Sequence, residues 1–140
     1  MSSTGIDRYT GAPLSDFEHV LQCVAVIFMT RIGEMVMLRW FGAGLPELLG
    51  RRATLTNLSL YRMVIALAIN AWEPRLNVVK VVAAGNTADG LRLGELNFTI
   101  LCEYRPKALT GDLTVEGGLR KIGLTAANDN TGIRLRVLAA

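Results

Sequence analysis

The chain has 140 residues, 51% of them hydrophobic and 19% charged, enough apolar material for one core and too much for a largely disordered chain. Its 15 Lys and Arg against 12 Asp and Glu leave a net charge of +3, with no basic cluster larger than Arg51–Arg52, which argues against a nucleic-acid partner. The longest apolar runs, Cys23–Met29 and Met63–Ile69, fall far short of the roughly 18 residues a membrane-spanning helix needs, so no membrane partner is expected.

In chain order, residues 1–15 are rich in Ser, Thr, Gly and Asp and read as an extended N-terminal arm without the apolar stretch of a secretory signal. Ser15, with Glu18 three positions later, forms a capping-box pattern that predicts a helix start. Phe17, Val20, Leu21, Val24, Ile27 and Phe28 then recur at helical spacing as far as Arg31. Thr30–Gly44 holds three glycines and no clean period, which reads as an ordered loop. Pro46–Leu49 suits a short helix closed by Gly50. A third helix is expected over Thr56–Trp72, with Leu58, Tyr61, Ile65, Ala68 and Trp72 on one face. Pro74 stops it, because it disfavours helical geometry at Glu73 and has no N–H to donate.

After Pro74 the period changes to two. Arg75–Ala84 reads as a strand, Gly85–Gly90 as a turn and Leu91–Tyr104 as a second strand. In the second, Leu96, Phe98, Ile100, Cys102 and Tyr104 point one way and Glu95, Asn97, Thr99 and Glu103 the other, the pattern of one packed and one wet face. The first strand is uneven: Leu76 and Val78 share a face with Lys80, whereas Val79, Val81 and Ala83 lie opposite. Either a bulge shifts the register near Val78–Val79 or the strand is covered on both sides. Beyond Pro106, short strands are expected at Leu119–Thr125 and Ile133–Leu138. The expected organisation is therefore an arm over 1–15, one α+β domain over 16–106 with about three helices on a small antiparallel sheet, and a C-terminal extension over 107–140.

Little in the chain carries chemistry. Cys23 and Cys102 lie in apolar segments without metal-ligand spacing and read as reduced thiols, and the one histidine, His19, cannot build a multi-histidine metal site. No phosphate-binding glycine loop or nucleophile-elbow pattern is present. No cofactor, metal or catalytic residue is assigned. The run Trp72-Glu73-Pro74-Arg75 is more informative. It is either a helix stop with two solvated charges or a preorganised acid–base pair displayed to a partner.

The order of motifs points further. Asp7 with Thr10-Gly11, a helix ending at Thr30, Gly33-Glu34, Phe41-Gly42, Leu45–Leu49, a second long helix and then Trp72-Glu73-Pro74-Arg75 entering a Val-rich strand together resemble the baseplate wedge family of contractile phage tails. Members of that family act as sheath initiators and were once described as tail lysozymes. A similar protein occurs in the type VI secretion baseplate, and a bacterial anti-adaptor has a related fold. The resemblance covers about residues 5–105; the family commonly has Arg where this chain has Met35, and Pro before the Phe-Gly where this chain has Trp40.

That resemblance implies helices packed on a small antiparallel sheet and a structural, non-enzymatic role in the virion tail baseplate, assembled in the host cytoplasm. By resemblance, Glu73, Pro74 and Arg75 dock against a helical bundle of the larger wedge subunits, so that Arg75→Glu would leave the isolated fold intact and abolish assembly. The sheet edge carrying Val79 and Val81 would pair with strands of the tail sheath protein, and tube or hub proteins are further partners. Two alternatives stay open: a regulatory protein-binding module like the anti-adaptor, and a peptidoglycan hydrolase using carboxylates such as Glu34 and Glu73.

Overall fold

A computed structural model describes residues 4–48, 51–52, 54–127 and 133–138. A short hairpin, β1 (Thr4–Ile6) and β2 (Pro13–Ser15), leads into helix α1 (Asp16–Met29). Helix α2 (Leu45–Leu48) and the long α3 (Leu55–Trp72) follow, then β3 (Leu76–Ala83), α4 (Ala88–Arg92), β4 (Leu96–Tyr104), β5 (Glu116–Ala126) and β6 (Ile133–Leu138). The last four strands form one antiparallel sheet in the order β3-β4-β5-β6. The fold is α+β, as expected.

The alternation in β4 sets the core. Leu96, Phe98, Ile100, Cys102 and Tyr104 are buried, and each intervening residue is half-buried. Against that face lie Val20, Val24, Ile27 and Phe28 of α1 and Tyr61, Ile65, Ala68 and Ile69 of α3. Thr54 caps α3 by accepting a hydrogen bond from the Asn57 N–H at 3.2 Å, and the Tyr61 phenol donates to the Leu48 carbonyl, tying α3 to α2. Ile122, Leu124 and Ala126 of β5 enter the same core. The segment beyond Pro106 therefore completes the central sheet.

Three sequence expectations change. The N-terminal stretch is a hairpin seated on α1 and not an extended arm: Gln22 donates to the Ile6 carbonyl at 2.9 Å and accepts from the Arg8 N–H at 3.1 Å. Gly5 passes so close to the His19 ring that a Cβ there would lie 2.3 Å from its Cδ2. The capping box does not close, because Ser15 is the last residue of β2, paired with Thr4, and its side chain makes no cap hydrogen bond. The chain turns instead at Asp16, whose φ of 48° is one that Asp tolerates better than most residues. The expected Gly85–Gly90 turn is in fact a longer connection containing α4, so the second strand begins at Leu96 and not Leu91. Thr87 starts that helix by accepting from the Gly90 N–H at 3.1 Å. The side chain of Asn86 exchanges two hydrogen bonds with the Asn97 backbone, at 3.0 and 2.8 Å, and so seats the beginning of β4.

Neither cysteine is in a disulfide; Cys102 is buried and Cys23 half-buried. Burial pushes the Cys102 thiol up to about 11 from its ordinary 9.0, with Arg120 opposing weakly. Peptide mapping after alkylation of the native chain at neutral pH should therefore find Cys102 unmodified, becoming fully labelled once the chain is denatured. The raised pKa also makes its stabilising contribution complete below about 9 and progressively lost as pH rises from 9 through 11. A melting temperature that falls across that interval checks the second point.

Candidate functional site

The α3–β3 junction holds the one buried ion pair among the described residues. The Glu73 N–H donates to the Ile69 carbonyl at 2.8 Å as the last bond of α3, and the Leu76 N–H donates back to the Glu73 carbonyl at 3.0 Å. Within that turn Glu73 and Arg75 throw their side chains to the same side. Arg75 Nε donates to Glu73 Oε1 at 2.6 Å and Nη2 to Oε2 at 2.8 Å, a bidentate pair with both residues at or below 5% exposure. Arg75 Nη2 also reaches Cys23 Sγ of α1 at 3.5 Å, and the Arg75 carbonyl accepts the Arg105 N–H at the end of β4 at 2.8 Å. Three segments thus meet on two side chains, and the end of β4 joins them through the Arg75 backbone. Its hydrogen bonds to the Glu73 carboxylate hold the Arg75 guanidinium more firmly protonated than usual, against the opposing effect of burial.

This geometry corrects the reading of Glu73 and Arg75 as solvated charges beside a helix stop. They face each other inside the fold, and only Pro74 of the three is exposed. Trp72, one residue before the pair, packs edge-on against Phe41 at 5.2 Å and 63°, which connects the junction to the loop after α1.

Val79 and Val81 are separated by the structure. The register between β3 and β4 shifts between Val78 and Lys80, so the bulge is present and Val79 is its extra residue, exposed at the sheet margin. Past the shift Val81 pairs with Ile100 and is buried on the same face as Leu76. The expectation that Val79 and Val81 share an outward face is therefore corrected: the inserted residue returns Val81 to the core.

Grooves run beside both outer strands. One, of about 370 Å³, lies between Arg62, Met63 and Ala66 of α3 and Val78–Val81 of β3. The other, of about 470 Å³, is lined by Leu14, Leu21, Ala25, Met29 and Leu135 between the hairpin, α1 and β6. Neither assembles a pair of facing carboxylates. Glu73 is committed to Arg75, and Glu34 accepts the Arg31 N–H at 2.9 Å. Among the described residues no three metal-ligating side chains converge. Residues 31–40, between α1 and α2, are all exposed despite their apolar content, a feature hidden in the sequence because the segment has no period to assign a face.

A profile of the family described as baseplate wedge protein gp25 matches residues 15–107. Baseplate protein W of Escherichia phage P2 is 29% identical over 80 residues, which cover 57% of this chain and 70% of that protein. A subunit of the post-contraction baseplate of pyocin R2 superposes with a TM-score of 0.60 at 24% identity, covering 73% of this chain and 98% of that one. A Geobacter sulfurreducens protein described as a candidate tail lysozyme superposes with a TM-score of 0.57 at 22% identity, covering 88% of this chain and 91% of the other.

Arg75→Glu would place two carboxylates in the buried junction. A charge left without its partner in such a site costs about 3–5 kcal/mol, a large part of a domain's total stability of about 5–15 kcal/mol. The expected outcome is a chain that unfolds at markedly lower denaturant concentration, measured by circular dichroism, and not the intact fold that a surface role would give.

Proposed function

The chain belongs to the gp25 family of baseplate wedge proteins, and on that premise we propose that it is the wedge component that starts the tail sheath, offering a strand edge to the first sheath subunits. It is a structural component of a contractile-tail baseplate. Its partners in this reading are the larger wedge subunits, the tail sheath protein and the tube or hub proteins near them. Its place is the virion tail baseplate, with assembly in the host cytoplasm. The reading assigns no catalytic step to Glu34 or Glu73.

The observation that carries it is the open sheet. Four strands in the order β3-β4-β5-β6 leave an outer edge at each end, and an added strand satisfies a whole row of backbone N–H and C=O groups at once. The two edges are unequal. On β3 the N–H of Leu76 is taken by the Glu73 carbonyl at 3.0 Å, that of Val78 by Asn70 Oδ1 at 3.0 Å, and the Val79 bulge breaks the register. On β6 all six residues pair with β5 without a shift. The regular edge, with the apolar groove of α1 beside it, supports β6 as the site of strand addition ahead of the edge carrying Val79 and Val81.

Hydrogen exchange of the chain alone and with the sheath protein of the same tail tests this. Outward-facing amides of β6 should exchange fast in the free chain and become protected in the complex. Protection confined to Val81–Ala83 would move the contact to β3. Binding without protection at either edge would contradict strand addition.

A further inference from the structure

Strand β5 carries an arginine on its inward face. Ile122, Leu124 and Ala126 alternate into the core, and Arg120, the next position on that face, pairs with buried Cys102 of β4. Its guanidinium carbon lies 4.5 Å from the centre of the Phe17 ring at the start of α1 and 4.7 Å from that of Tyr104. The two rings meet edge to face at 5.3 Å and 76°. Just before Arg120 the ladder skips two glycines: Glu103 pairs with Leu119, and Tyr104 with Glu116. At Gly117, where φ is 75°, a Cβ would stand 3.4 Å from Arg120 Nη2, so glycine leaves the guanidinium uncrowded.

These groups border a cavity of about 380 Å³, at the small end of the range for ligand sites. Arg120 is half-buried, and among the described residues its guanidinium makes no hydrogen bond and no salt bridge. A cation turned inward without an anion is uncommon in a fold. Lys107 adds a second positive charge at the border. Asp16 and Glu116 also stand there, but both are exposed and neither forms a salt bridge with Arg120 or Lys107.

We propose that this cavity receives the C-terminal carboxylate of a polypeptide that ends in an apolar residue. Arg120 holds the carboxylate, and Phe17 and Tyr104 take the side chain. The planar fork of a guanidinium matches the two oxygens of a carboxylate, and capture of a chain terminus is a recurring mode of peptide recognition. The cation and the rings touch each other, so the ligand must carry its charge and its apolar group on neighbouring atoms. A terminal residue bears both on one Cα; an Asp or Glu side chain has no branch beside its carboxylate. Asp16 and Glu116 oppose a second negative charge, which favours a carboxylate over a phosphate dianion. The inference goes beyond the wedge and sheath reading and does not rest on it.

Titration of the ¹⁵N-labelled full chain, followed at the Arg120 Nε–Hε resonance, tests it. N-acetylleucine, which mimics a terminal apolar residue, should shift that resonance saturably. N-acetylleucine amide should bind roughly tenfold or more weakly, because it lacks the charge. Inorganic phosphate and N-acetylglutamate α-amide, which carries only a side-chain carboxylate, should both bind more weakly than N-acetylleucine. An Arg120→Lys chain keeps the charge, should keep its circular dichroism spectrum, and should lose most of the affinity with the fork. No saturable shift with N-acetylleucine overturns the proposal. Equal binding of the amide reduces the cavity to an apolar contact and overturns the carboxylate assignment. Equal binding of phosphate overturns it as well, in favour of a general anion site. Equal binding of N-acetylglutamate α-amide overturns the chain-terminus assignment.

Discussion

The bidentate bond between Glu73 and Arg75 fixes the angle at which the long helix α3 passes into the sheet. Pro74 ends the helix and makes the turn tight, but a turn alone does not determine which way the next strand runs. The two charges do so by closing on each other beneath α1, with Cys23 against the guanidinium and the Arg105 N–H on the Arg75 carbonyl. Helix α1, helix α3 and strand β3 are thereby held by one pair of side chains, and the end of strand β4 is held by the Arg75 backbone. Burying an ion pair is costly, and such a pair is poor evidence of added stability; its physical contribution is that any arrangement separating the two charges is much worse.

That constraint organises the surfaces. The sheet faces the helices on one side and ends in two open edges, one broken by the Val79 bulge and one regular. The same junction supports the exposed loop through Trp72 and Phe41. The junction thereby links the base of the exposed loop to the β3 end of the sheet.

How much of this was legible in the sequence depended on whether the signal was local. The two-residue period from Leu96 to Tyr104 has one interpretation, and the structure follows it residue by residue. The break in the Leu76–Ala83 pattern left a bulge and a doubly covered strand as alternatives, and it did not show which valine would be exposed, because that depends on where the extra residue falls against β4. Glu73 and Arg75, two positions apart beside a proline, read as surface charges until α1 is known to pack over them; their burial is a long-range fact. The hairpin at 4–15 and the short helix at Ala88–Arg92 escaped for a related reason. Each rests on contacts to distant residues, Gln22 in one case and Asn97 in the other. The resemblance to wedge proteins was carried by spacing and motif order, which survive without knowledge of any contact.

A double-mutant cycle on Glu73→Gln and Arg75→Met, with unfolding free energies from denaturant titration, tests most directly whether the pair acts inside the fold. Each single variant should lose about 3–5 kcal/mol, because each leaves one buried charge unpaired, and the double variant should recover most of that loss. Single variants within about 0.5 kcal/mol of the parent, the range of ordinary surface substitutions, that nonetheless fail to join the wedge would contradict the account and return Glu73 and Arg75 to the surface as contacts in their own right.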